Sequence, residues 1–76
     1  MSGIARLQIH RRRLQLEYVK QKLDLDDYIR RNKDFQHRIH IRVVIVTLEQ
    51  RLKAIDSDIE EIDGRIEYIR QQQSQG

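Results

Sequence analysis

Ile45-Val46-Thr47-Leu48-Glu49-Gln50-Arg51-Leu52-Lys53-Ala54-Ile55-Asp56-Ser57-Asp58-Ile59-Glu60-Glu61-Ile62-Asp63-Gly64-Arg65-Ile66-Glu67-Tyr68-Ile69 decides the fold. Ile45, Leu48, Leu52, Ile55, Ile59, Ile62, Ile66 and Ile69 recur at alternating steps of three and four residues. That is the heptad spacing of a helix with one apolar seam facing another helix. The phase runs back to Ile41. Ser57-Asp58-Ile59-Glu60 matches a capping box, at which a helix could restart. Heptads that continue through it, and Gly64 on the outside of the repeat, predict an unbroken helix instead.

Upstream, Asn32-Lys33-Asp34 separates two long segments. Asn tolerates the left-handed conformation that ends helices, and Asp is a good N-cap. The expected single domain is therefore a helix over about 4–31 that Ser2 could cap, a turn at 32–34, a helix over about 35–72, and a frayed tail at 73–76. The first helix has two apolar sides. Ile4, Leu7, Leu14, Tyr18, Leu25 and Ile29 share one; Ile9, Leu16, Val19 and Leu23 lie almost opposite. In the second helix Ile39, Val43 and Val46 lie off the seam. Helices apolar on more than one side have more than one neighbour. This predicts an all-α antiparallel helical hairpin, a coiled coil that assembles into an oligomeric bundle. Its expected seam is Ile45 to Ile69 with Leu16, Val19 and Leu23, and its burial should be greatest near the turn.

Charge supports the hairpin. A turn centred near Lys33 would set Arg11 opposite Asp56, Arg6 opposite Glu61, and Asp26 opposite His40 to Arg42. A parallel self-paired second helix would instead join Arg51 to Asp56 but also Asp58 to Asp63 and Arg65 to Arg70. Each exposed pair contributes about 0.2–0.5 kcal/mol, enough to tilt the choice. One rival remains. Ile39, Ile41, Val43 and Ile45 are all β-branched and alternate with polar residues at their start, and residues 14–18 alternate too. A β-hairpin of about 14–18 and 38–47 followed by a C-terminal coiled-coil helix fits that pattern. The absence of Gly or Pro near either segment argues against it.

Composition agrees with helices. Charged residues are 36% and apolar ones 38%, with no Pro or Trp, a balance suited to long helices. At 76 residues the chain is short for a self-sufficient core, and it has no Cys for disulfides. Oligomerisation is the remaining support. The longest apolar run, Val43 to Val46, cannot span a bilayer. No apolar signal region precedes Arg11, and Gly is third rather than second. An intracellular protein, or part of a particle assembled inside a cell, is expected.

No chemistry-bearing constellation emerges. His37 and His40 with Asp27 and Asp34 are a weak metal set among cations. The carboxylates Asp24, Asp26, Asp27 and Asp56 to Asp63 read as solvated, ion-paired helix faces rather than acid–base machinery. Gly3, Gly64 and Gly76 form no phosphate loop, and the serines are Ser2, Ser57 and Ser74 only. No enzyme, cofactor, metal or small-molecule substrate is expected. The basic residues Arg11, Arg12, Arg13, Arg30, Arg31, Lys33, Arg38 and Arg42, with a pI near 9.6, could contact nucleic acid. Pairing with the acidic blocks is the plainer explanation, and aromatics for base stacking are few. The expected function is a small non-enzymatic interaction or assembly protein: a subunit, scaffold, adaptor or inhibitor that packs on itself or a larger protein. A viral accessory protein would fit the size and charge density. The alternative is an oligomeric nucleic-acid-binding regulator.

Overall fold

The computed structural model describes residues 3–74. Two helices, α1 (Gly3–Arg31) and α2 (Ile39–Ser74), lie antiparallel in a rod of 59 × 17 × 12 Å. A short 3-10 turn, Lys33–Phe35, lies between them. The described residues contain no strand. Ser2, the expected cap of the first helix, lies outside the described residues, as do Gln75 and Gly76. α2 continues through Gln73 and Ser74, which the sequence had placed in a frayed tail.

The core is one stripe per helix. From α2, Ile41, Leu52, Ile55, Ile59, Ile62 and Ile66 are buried, and Ile45, Leu48 and Ile69 are half-buried. α1 contributes Leu25, which is buried, and Ile4, Leu7, Leu14, Tyr18 and Ile29, which are half-buried. The seam of α1 is interrupted where that of α2 is not. Arg11 and Gln21 occupy two of its positions at intermediate burial. Arg11 lays its methylenes along the seam and turns its guanidinium to the rim, where its Nε donates to Asp63 Oδ1 at 2.5 Å.

The pairing register differs from the expected one. Arg11 meets Asp63, seven residues beyond Asp56. The connection also runs from Asn32 to Arg38, so α2 starts at Ile39 rather than near 35. A seven-residue offset preserves which faces meet, and Asp56 and Asp63 occupy the same flank of the heptad. Charge sign alone could not tell them apart. Asn32 ends α1 without a left-handed residue, its φ being −110°. Its side-chain Nδ2 and its backbone N–H both donate to the Tyr28 carbonyl, at 2.9 and 3.1 Å. Phe35 N–H then bonds Asn32 O and Arg38 N–H bonds Phe35 O, so the chain reverses through two successive tight turns. The Arg38 guanidinium lies 4.6 Å from the Phe35 ring centroid, a cation–π contact within the second turn. Asp34, read as an N-cap, sits inside the 3-10 turn instead.

Residues 39–47 are helical, which settles the β-hairpin alternative. An isolated two-stranded ribbon has no third strand to cover it, whereas the helix extends the seam through Ile41 and Ile45. The expectation of greatest burial near the turn holds on the seam, where Leu25 and Ile41 are buried, and fails off it. Two helices can cover only one stripe each, so Ile39 is 80% exposed, and Val43 and Val46 also face outward.

Candidate docking surface

The seam Ile45, Leu48, Leu52, Ile55, Ile59, Ile62, Ile66 and Ile69, read from the sequence as an assembly surface, is covered within the chain by α1. Leu16, Val19 and Leu23 are not. They are 66%, 56% and 64% exposed, and Ile9 accompanies them. Ile9, Leu16 and Leu23 are seven residues apart and lie directly opposite the seam. They span about 21 Å of helix at 1.5 Å per residue. A shallow groove beside them is lined by Ala5, Gln8, Ile9, Arg12, Arg13 and Leu16. A second outward patch lies on α2 near the turn, where Ile39, Arg42, Val43, Val46 and Thr47 line another shallow groove. Because each patch faces away from the shared seam, the two lie on opposite sides of the rod. Isolated exposed aliphatics are ordinary, but runs at helical spacing on a small protein mark interaction sites.

The basic residues divide into two groups. Arg12 and Arg31 are about 28 Å apart along α1, so the clusters at 11–13 and 30–42 form no single array. Arg11 is engaged by Asp63, and Arg30 and Arg31 both pair with Asp27 at 2.6 and 2.8 Å. Arg38 is stacked on Phe35. Lys33 and Arg42 are exposed at the turn end. Arg12 and Arg13 are exposed and have no carboxylate partner among the described residues. Some acidic residues are local partners: Asp26 pairs with Lys22 and Glu61 with Arg65.

A third, open groove lies between the helix ends, lined by Gly3, Arg6, Leu7, Gly64, Tyr68 and Ile69 among others. Two glycines are among its lining residues. A Cβ on Gly64 would meet nothing within 4 Å, and one on Gly3 would touch Ile69 Cδ1 at 4.0 Å. Its charged lining residues are Arg6, Glu61 and Arg65, of which Arg65 and Glu61 pair with each other at 2.8 Å. His37 lies in the connection and His40 in the first turn of α2, both exposed. No group of three or more His, Cys, Asp or Glu that could hold a metal ion occurs among the described residues. No helix of the described residues is long and apolar enough to cross a membrane.

The sequence had marked Ile9, Leu16, Val19 and Leu23 as a second face, with Leu16, Val19 and Leu23 named in the expected seam. The exposed Ile9, Ile39, Val43 and Val46 were visible as off-seam residues but had not been assigned to the site. Their signal is the same heptad arithmetic applied to what remains once one stripe is used. Compared with known proteins, the chain matches no family model, no curated protein and no solved structure.

Proposed function

We propose that this protein is a non-enzymatic helical interaction module, a subunit, adaptor, scaffold or inhibitor, that docks on a larger protein through the outward apolar face of α1. The observation that carries this reading is the exposure of Ile9, Leu16, Val19 and Leu23 along one line of a helix whose other face is already filled. Homo-oligomers draw less support than the heptads first suggested, because α1 occupies the seam that would have joined two copies. The nucleic-acid reading retains one favourable observation, the outward Arg12 and Arg13 without carboxylate partners among the described residues.

Light-scattering mass on a size-exclusion column, at low and high salt and with nucleic-acid absorbance monitored, separates the two. Apolar docking tolerates salt, while phosphate contacts weaken steeply with it. Association that persists at high salt and disappears in the Leu16→Asn, Leu23→Asn double variant supports the module. Nucleic acid carried at low salt and shed at high salt moves the assignment to the regulator. A chain that stays monomeric at both salts, binds no added amphipathic helical peptide and keeps the same solubility in the double variant overturns the docking face.

A further inference from the structure

The outward face of α1 has a seam's geometry and a rim that is basic over its N-terminal half. Ile9, Arg12, Leu16, Val19 and Leu23 follow steps of three and four, the same spacing as the internal seam. Arg12 stands within that stripe and Arg6, Arg13 and Lys20 flank it, against the carboxylates Glu17 and Asp24 near Lys20; Arg11 and Lys22 lie toward the seam and pair with Asp63 and Asp26. Glu17 is bonded to Gln21 at 3.1 Å, toward the seam flank. The internal seam shows how this helix meets a neighbour when an arginine stands in line with the aliphatics. Arg11 stays on the stripe and the opposing helix supplies Asp63 to its guanidinium. Arg12 holds the equivalent place on the outward stripe.

Resting on the reading of the chain as an interaction module, we infer that this face takes an acidic amphipathic helix of another protein. The partner helix sets aliphatics against Leu16, Val19 and Leu23 and carboxylates against Arg12, Arg13 and Lys20. A second copy does not supply that surface. The acidic stretch of α2 exposes no large aliphatic between Thr47 and Glu67, and the exposed aliphatics of α2 near the turn sit beside Arg38, His40 and Arg42. Two α1 faces packed antiparallel about Leu16 set Arg13 near the other copy's Lys20. Arg13 and Lys20 stand at the border of the stripe, where interfacial helices carry their cations, but a lipid surface fits less well because Arg12 also interrupts the stripe itself, between Ile9 and Leu16. One polar residue within a line of aliphatics is instead a familiar feature of helix–helix seams.

The test uses the full chain and three four-heptad peptides with Leu and Ile at seam positions, flanked throughout by Glu, Gln or Lys. Binding is read by fluorescence anisotropy, with anionic vesicles and duplex DNA as further arms. The Glu peptide is expected to bind at least about tenfold more tightly than the Gln peptide, a difference of about 1.4 kcal/mol, and the Lys peptide not at all. Arg12→Gln with Arg13→Gln should erase that preference. Leu16→Asn with Leu23→Asn should abolish binding while leaving helical circular dichroism intact. Equal binding of the Gln and Glu peptides overturns the charge inference and leaves the module standing. So does self-association through Leu16 and Leu23 with no peptide bound. Preference for vesicles or DNA over the Glu peptide overturns the inference in favour of that surface. No peptide binding and no association of any kind overturns both.

Discussion

Gln21 is the least comfortable residue of the hairpin. It stands on the α1 seam, its Nε2 donates to Glu17 Oε1, and its own Oε1 is buried without a partner. A buried acceptor deprived of water costs about 1–3 kcal/mol, and a leucine there would add apolar contact with α2. Gln21→Leu is therefore expected to stabilise the fold by about 1 kcal/mol. For a chain of this size that corresponds to a rise of about 4–8 °C in Tm by circular dichroism. An unchanged or lower Tm would show that the amide holds the helices in register, as polar seam residues do in some coiled coils. Arg11, the other interruption, was not visible as a seam residue from the sequence, where it read as part of a basic cluster. Its aliphatic stem and its charged head belong to different environments, and a letter code cannot say which dominates.

Among the elements, α2 carries the order and the connection carries the surprise. α2 runs through the capping-box sequence at Ser57 and through Gly64 without a break, because the apolar repeat on both sides outweighs a local stop signal. Gly64 faces open space, so a methyl group there costs nothing sterically. Gly64→Ala should stabilise the chain by about 1 kcal/mol through the helix preference of alanine, seen as a higher midpoint in urea with an unchanged slope. Ile59→Ala should act in the opposite sense, lowering stability by about 2–5 kcal/mol. Roughly 4–11 kcal/mol is the total expected for this length, so the urea midpoint of that variant should fall by a large fraction of its original value. The helical nature of both segments and their antiparallel pairing were legible from the heptads. The end of α1 before Asn32 was legible too, but the extent of the connection to Arg38 was not, because no glycine or proline marks it. Asn32 stops α1 with a side-chain hydrogen bond that leaves no spacing signature. The register escaped for a related reason, since a pattern that repeats every seven residues looks the same after a slip of seven.

At the scale of the whole molecule, two helices have more apolar faces than they can cover. The sequence showed that α1 is apolar on both sides but not which side α2 would take. The side chosen is the longer one, from Ile4 to Ile29, and Ile9 to Leu23 is left outside. Replacing seam and outward residues should therefore have opposite consequences. Ile55→Asp with Ile62→Asp places two charges in the dry interior, where an unpaired charge costs several kcal/mol. That variant should lose most of its helical circular dichroism at 25 °C. Retention of a native spectrum would mean the seam is not where the stability lies.

The placement of the two outward patches on opposite sides of the rod bears on growth. A contact that joined the α1 patch of one molecule to the α2 patch of the next would leave both remaining patches unoccupied, and the unit added would offer the same invitation again. Such head-to-tail contacts form rings only when the rotation closes, and otherwise propagate into fibres. The arginines and lysine around both patches oppose that propagation by like-charge repulsion. Swapping Arg12, Arg13 and Lys20 to Glu would remove the barrier on one side only. The same hairpin would then be poised to polymerise, a transition that turbidity and electron microscopy would reveal.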